Sequence, residues 1–379
     1  MKIGFDAKRF FFNETGLGNY SRNLIRGLIE NYSRHKYYLY SPVIKTENSQ
    51  KRKKEFENKT TIVEPKTIFN KTFSSFWRSF FIKKDIRINN LDIYHGLSHE
   101  LPFSIKNTNV KRIVTIHDVI FKKYPSFYGF IDRKVYDLKW KFACKNSDII
   151  IAISESTKKD ILKYYSVPEK KIEVVYQSAD PIFYKKNTSA VLKSISQKYS
   201  LPKKFIIYVG SLNERKNILN ALKAIALIKN EKIPLVLVGR GKKYKEILVK
   251  EIEKLNIENL VLFFQNVPTE DLPSFYQLAS MSIYPSIYEG FGIPVIESLA
   301  CKTPVILSKV SSLQEAAGPG GCYCDVENPA KIADAILKLN KSGAYRNNLI
   351  EKGFRYVQKF TRKNSAKSLM KVYDKCMKL

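Results

Sequence analysis

Two glutamates with seven residues between them, Glu289 and Glu297, flank a glycine-rich turn in YPSIYEGFGIPVIESLACKTPVI. The pattern predicts a strand ending at Tyr284-Pro285, after which Glu289-Gly290-Phe291-Gly292-Ile293-Pro294 opens a helix that carries Glu297. Backbone N–H groups at such a helix start form a cradle for anions and hydroxyls, and Pro294 suits the first turn because its missing N–H costs nothing there. Within one helix, eight positions would return both carboxylates to one face. With Glu289 in the loop, the two are expected to line one cleft at different depths.

A second constellation lies upstream in YVGSLNERKNILNALKAI, where a strand and a glycine-containing turn lead to Arg215-Lys216 at a helix start. A pyrophosphate carries concentrated negative charge, and a forked guanidinium plus an ammonium beside a helix N-terminus would neutralise it. Near the N-terminus, ETGLGNYSRNLIRGL sets Gly16 and Gly18 between a strand and a helix. Without a third glycine it is a weak dinucleotide fingerprint. His117, in IVTIHDVIF, follows a buried-looking strand at its C-terminal end, where open α/β sheets bind ligands. His95 and His99, in IYHGLSHELP, end the preceding strand in a similar way. His35 lies in a polar loop and is set aside, and Asp118 reads as the cap of a turn rather than a catalyst.

The elements that must position these residues recur along the whole chain as strand-like runs followed by helical patterns, which predicts parallel α/β architecture. In the first part they are Lys2 to Asp6 before a helix near Asn19 to Tyr32, Val110 to Ile116, and Asp148 to Ile153 before Glu155 to Tyr164. A second series runs through Phe205 to Val209, Leu235 to Val238, Leu260 to Phe264, Met281 to Tyr284 and Val305 to Leu307. The two series read as two Rossmann-like sheets, joined around Asp180 to Pro202. Tyr345 to Leu379 reads as one or two amphipathic basic helices. At 379 residues the chain is long enough for two cores, and 44% hydrophobic with 27% charged residues is an ordinary globular composition, not that of a disordered or low-complexity chain. Five cysteines, of which only Cys322 and Cys324 are close together, make neither a disulfide framework nor a metal site.

With both motifs in hand, the chain resembles the retaining glycosyltransferases of family 4, which have the GT-B fold. EGFGIPVIE matches the E-x7-E signature of that family, and the resemblance extends from TGLGNY through ISESTKKDI and RKN to the EGFG segment. It implies two Rossmann-like, doubly wound domains facing a central cleft. Residues 1–190 would be the acceptor-binding domain, 191–360 the nucleotide-sugar-binding domain, and 361–379 a helix packing back on the first. It further implies that Glu289 faces the donor sugar, that the backbone of Gly290, Phe291 and Gly292 holds sugar hydroxyls, and that Glu297 accepts hydrogen bonds from the donor ribose. Arg215 and Lys216 would bind the donor diphosphate, with Gly16 facing it. His117 would stand near sugar and acceptor, with His95 and His99 as further acceptor candidates. Glu289, His117 and Arg215 are thus the expected catalytic set. No Asp-x-Asp pair offers a metal site, so neither metal nor cofactor is expected beyond the nucleotide sugar. An internal return, in which the departing phosphate deprotonates the acceptor, is preferred to a covalent glycosyl-Glu289 intermediate. The family departs here in two places: Lys302 replaces a glycine after the signature helix, and FFQNVPTEDL lacks the glycine expected in the loop that would meet the base.

The stretch HDVIFKKYP…DRKVYDLKWKFACKNSDIIIAISESTKKDI resembles mannosyltransferases of bacterial surface-polysaccharide assembly, which implies GDP-mannose as donor, with UDP-hexoses as the alternative. A sugar-nucleotide epimerase on the same fold is a more distant reading. The net charge of +31, of which the first 200 residues carry +19, asks for a partner: nucleic acid, an anionic membrane or a phosphorylated substrate. Paired carboxylates in a glycine-rich turn repel phosphate backbones, so nucleic acid is not expected. Between Phe69 and Phe81, aromatic residues at helical spacing with Lys71, Arg78, Lys83 and Lys84 around them suggest either an interfacial membrane helix or a face packed on the sheet. A charged start, MKIGFDAKRF, and the absence of an apolar run of roughly 18–20 residues lead us to expect a cytoplasmic protein, peripheral on the inner membrane face and meeting a saccharide or lipid-linked acceptor there.

Overall fold

The computed structural model describes the backbone of all 379 residues and every side chain except those of Ser75 and Asn107. The chain divides into two compact units, Met1–Ser178 with Arg362–Leu379, and Ala179–Thr361.

The first unit is built on a seven-stranded sheet of β1 (Lys2–Asp6), β2 (Lys36–Tyr40), β3 (Thr61–Val63), β4 (Ile93–Gly96), β5 (Lys111–Ile116), β6 (Ile149–Ala152) and β7 (Ile172–Val174). Their order is β3-β2-β1-β4-β5-β6-β7, and every neighbouring pair is parallel. Strands covered by helices on both faces are buried along their length, as β4 and β6 are at every position, and the imidazole of β4, His95, has both ring nitrogens bonded. The helices that matter below are α1 (Gly16–Asn31), α2 (Phe130–Asn146) and α3 (Glu155–Tyr164). The order reverses between β1 and β4, which makes the C-terminal ends of these two strands the switch point of the sheet.

The second unit repeats the design with β8 (Ile206–Val209), β9 (Leu235–Val238), β10 (Val261–Phe264), β11 (Met281–Tyr284), β12 (Val305–Ser308) and β13 (Gly321–Cys324), in the order β10-β9-β8-β11-β12-β13, again all parallel. Its helices include α4 (Ile218–Leu227), α5 (Ile293–Ala300) and α6 (Gly343–Val357). The switch point here lies between β8 and β11, the two strands that lead into the Arg215-Lys216 and Glu289 loops.

The last helix, α7 (Arg362–Met377), belongs to the first unit. Ala366, Leu369 and Tyr373 enter the same core as Ile25, Leu28 and Ile93. The approach to α1 is close enough that a Cβ on Gly27 would stand 2.9 Å from Arg362 Cγ and 3.2 Å from Ala366 Cβ. Arg362 also donates to Asn23 Oδ1 at 2.5 Å.

The division between the units falls after Ser178 rather than at 190. Residues expected to form a polar linker are instead bound into the second unit: Tyr184 Oη donates to the carbonyls of Val357 and Phe360 at 3.1 Å each, and Phe183 is buried against Tyr276. The segment from Phe69 to Phe81 also differs from the single helical face that its spacing predicts. Short helices at Ile68–Thr72 and Ser74–Phe76 give way to a π-helical turn, Trp77–Phe81, closed by Ile82 N–H to Trp77 O at 2.9 Å. The wider turn rotates Trp77 and Arg78 inward, and Phe69, Phe73, Phe76, Phe80 and Phe81 stay exposed. Among the described residues no helix is long and apolar enough to cross a membrane. The five cysteines are free, and four of them are buried.

Candidate active site

Glu289, Arg215 and Lys216 meet at the switch point of the second sheet. The loop after β8 ends in a short turn, Glu214–Lys216, whose C-cap Asn217 takes a left-handed conformation and starts α4. Ile287 N–H donates to Arg215 O at 2.9 Å, which ties this turn to the loop after β11. Arg215 pairs with Glu289 Oε2 at 2.9 Å and also donates to the carbonyl of Tyr288. Lys216, 5% exposed, donates to Glu289 Oε1 and to Tyr284 Oη, the latter at 2.6 Å. The Lys216 ammonium also lies 4.7 Å from the centre of the Tyr284 ring.

Burial would by itself raise the Glu289 pKa. The adjacent Lys216 and Arg215 charges and the Lys216 hydrogen bond outweigh it and hold the carboxyl at about 2. Glu289 is therefore an ionised carboxylate across the physiological range. Its two cations give the site a positive charge that a diphosphate could share.

The turn that follows is held by its own carbonyls. Ser312 Oγ bonds the carbonyls of Glu289 and Phe291 at 2.9 and 3.0 Å, and Glu289 N–H donates to Ser311 Oγ at 3.1 Å. Phe291 is buried edge-on against Phe360. Gly292 caps α5 at φ +117°, where a Cβ would in addition lie 2.8 Å from Leu313 Cδ2. Only glycine fits there comfortably. Glu297 follows on α5, with Tyr276 Oη donating to Oε2 at 3.4 Å. Among the described residues no cation pairs with it, and burial pushes its pKa up to about 8. The two signature glutamates thus sit in opposite electrostatic environments: one is pinned as an anion, the other is poised to be neutral at pH 7.

Lys302 adopts φ +59°, the left-handed conformation that explains why a glycine is common at this position, and Asn266 takes φ +59° in the loop after β10. Both departures thus involve a non-glycine residue held in the left-handed region.

The histidine candidates of the first unit lie in or just after β4 and β5, beside its switch point, with the His99 and His117 rings 5.1 Å apart. His117 is buried, with Nδ1 2.9 Å from Gln177 Nε2 and Nε2 2.8 Å from Leu97 O. A carbonyl only accepts, so Nε2 carries the proton and Nδ1 accepts from the amide. Burial pushes the His117 pKa down to about 3, so the ring is neutral with both nitrogens engaged. His95 bridges Tyr373 Oη and Thr115 Oγ1 at 2.8 Å each, and His99 stacks on Trp140 at 4.3 Å. Gly16 begins α1, and a Cβ there would meet nothing within 4 Å; at Gly18 a Cβ would collide with Asn13 O at 1.8 Å. Gly18 is thus required by the chain itself, and Gly16 is not.

Two contributors escaped the sequence reading. Tyr284 anchors Lys216, and Arg78 joins Asp6, at the end of β1, to Glu100, at 2.6 Å from Oε2. The signal for the first was present, since Tyr284 ends β11. For Arg78 there was none, because a π turn cannot be read from spacing.

This pair of Rossmann-like units, with a carboxylate and two cations at the switch point of the second, is the arrangement of a GT-B glycosyltransferase. Residues 15–182 match the family described as Glycosyltransferase Family 4 and residues 193–356 the family described as Glycosyl transferases group 1, so that together they account for most of the chain, which belongs to these glycosyltransferases. Among its relatives is the O-antigen chain mannosyltransferase B of Escherichia coli, 27% identical over 285 residues that cover 74% of each chain. A crystal structure of a glycosyltransferase from Rickettsia africae superposes with a TM-score of 0.79 at 19% identity, over 100% of this chain and 98% of that one. Anabaena HepE in complex with UDP-glucose gives 0.78 at 15% identity, over 99% and 100%. The protein is therefore an enzyme that transfers glycosyl groups.

Proposed function

We propose that the chain moves mannose from GDP-mannose to a saccharide or lipid-linked saccharide, with retention of anomeric configuration and without metal. The observation that carries this reading is the Arg215–Lys216–Glu289 cluster at the β8/β11 switch point, in which Lys216 and Glu289 are buried and Arg215 is half-buried. Arg215 and Lys216 neutralise the diphosphate as it leaves, aided by the N-terminus of α4. Glu289, held ionised, faces the positive charge that develops at the anomeric carbon. The Gly290, Phe291 and Gly292 backbone orients the sugar hydroxyls, and Glu297 takes the ribose. In the reaction the bond from anomeric carbon to phosphate oxygen breaks, the acceptor oxygen attacks from the same face, and its proton passes to the departing phosphate. Two cations on the Glu289 carboxylate damp it as a nucleophile, which favours this internal return over a covalent intermediate. His117 acts as a neutral positioning group and Gly16 admits the donor phosphates.

Mannose is favoured by the E. coli mannosyltransferase relative. The second reading, a UDP-hexose donor, is favoured by HepE, whose structure holds UDP-glucose. A thermal-shift screen over GDP-mannose, UDP-glucose, UDP-galactose and UDP-N-acetylglucosamine separates them. Stabilisation by GDP-mannose alone is expected, and stabilisation by a UDP-sugar alone overturns the donor assignment. The anomeric proton of the product, followed by NMR from the first turnovers, tests retention.

A further inference from the structure

We propose that an exposed apolar face of the first unit, built by residues 68–81 and by α2, is a docking surface for an anionic lipid bilayer. α2 has two apolar faces. Trp140, Ala143 and Cys144 are buried, whereas Ile131, Val135 and Leu138, spaced i, i+4 and i+7, are 75%, 42% and 64% exposed. The outer stripe continues one turn further to Phe142, whose ring meets Phe103 at 4.6 Å, and Phe103 stacks on Phe80 at 5.5 Å. From Phe80 the contacts run to Phe76 at 4.7 Å and to Phe81, 5.5 Å from Phe76. Two segments far apart in sequence therefore present one connected surface. Single exposed apolar side chains are ordinary, but a connected face of them marks a partner.

The face is also held in place. On the π turn that carries Phe80 and Phe81, Trp77 is buried and donates to Asp85 at 3.1 Å, and Arg78 is locked to Asp6 and Glu100. The phenylalanines are thus presented from a buried ionic anchor at the C-terminal end of β1.

The charge around the face identifies the partner. Lys71, Lys83 and Lys84 lie beside the first segment; Arg133 and Lys134 stand over the Phe130 ring, and Lys106 over Phe142. Of the acids nearby, Asp85 is bonded to Trp77 and Asp137 is paired with Lys122, and Asp132, exposed in the first turn of α2, is outnumbered by Arg133, Lys134 and the lysines around the face. Protein interfaces deplete lysine at their apolar centres, whereas aromatic side chains flanked by Lys and Arg suit the boundary between acyl chains and anionic headgroups. The chain's net charge of +31 acts in the same direction.

Co-sedimentation of the full chain with phosphatidylcholine vesicles, with and without phosphatidylglycerol, tests the proposal. It goes beyond sugar transfer, and since no donor is present its failure leaves that reading standing. Binding to the anionic vesicles at low salt, released by salt and weaker on neutral vesicles, is expected. Ile131→Glu with Leu138→Glu, and separately Phe69→Glu with Phe73→Glu, should each lower partitioning at least tenfold with the unfolding midpoint unchanged, because these side chains are exposed. Each basic side chain near such a surface is worth about fivefold in partitioning, so Lys83→Glu with Lys84→Glu should remove the preference for anionic lipid. Equal sedimentation with both vesicle types, none with either, or wild-type partitioning by the glutamate variants overturns the proposal. So does a dimer, or an oligonucleotide complex, that the same variants abolish.

Discussion

Replacing Glu289 with glutamine removes one charge and almost no volume, so its consequences follow from electrostatics alone. In the ligand-free protein the carboxylate is buried between Lys216 and Arg215, and its pKa lies at about 2 against an ordinary 4.5. By linkage, that depression is worth on the order of 3 kcal/mol at neutral pH. Breaking a buried pair by removing one partner gives a similar figure, about 3–5 kcal/mol, because Lys216 would keep its charge without its counterion. For a unit the size of Ala179–Thr361, with roughly 2–4 °C per kcal/mol, Glu289→Gln should unfold about 6–12 °C below wild type. The sign with pH is fixed by a lowered carboxylate pKa. The contribution of Glu289 is present in full above about pH 4.5 and disappears as pH falls toward 2, so the gap between variant and wild type should narrow over that range. A nucleoside diphosphate supplies the missing negative charge, so it should raise the unfolding midpoint of the variant more than that of wild type. Transfer should fall by roughly two to three orders of magnitude in the folded variant, as for other losses of transition-state charge stabilisation. Scanning calorimetry at several pH values, with and without the nucleotide, measures the first three effects. Equal midpoints at pH 7 would refute the ion-pair reasoning, and near-normal turnover would refute the placement of Glu289 at the reacting sugar.

Arg215→Ala should lower turnover by roughly 10²–10³-fold through lost stabilisation of the leaving diphosphate, read as kcat with saturating donor. Glu297→Gln should weaken donor binding and gain stability relative to wild type as pH rises from 5 to 9. Because the folded carboxyl keeps its proton up to about pH 8 while the unfolded chain loses it near pH 4.5, wild type loses stability between those values and levels off above about pH 8, and a constant difference from pH 5 to 8 would count against the burial argument. Gly292→Ala should cost about 1–3 kcal/mol by denaturant unfolding, because it forces a Cβ into φ +117° beside Leu313. Gly16→Ala should leave stability within ~0.5 kcal/mol, since its Cβ meets no neighbour, and should raise the donor KM instead; an unchanged KM would remove Gly16 from the phosphate site.

The local residues determined a good deal of this protein by themselves. The strands at Lys2–Asp6, Leu235–Val238 and Met281–Tyr284 and the helix at Glu155–Tyr164 fall where their apolar runs and caps require, because period and capping act within a few residues. The short edge strands Thr61–Val63 and Ile172–Val174 were not legible, since three residues paired along one edge leave almost no pattern. The site divides in the same way. Glycine-rich turns, an Arg-Lys pair at a helix start and two spaced carboxylates are types and spacings, so they stand in the sequence. Which carboxylate is ionised does not. Glu289 and Glu297 are chemically identical, and only the folding of β8 beside β11 brings Arg215 and Lys216 against one of them, while the other pairs with no cation among the described residues. The inward turn of Trp77 and Arg78, the two engaged nitrogens of His117 and the continuity of the α2 stripe with Phe80 likewise depend on residues tens of positions apart. Burial and charge pairing are properties of neighbours in space, and neighbours are chosen by the tertiary fold.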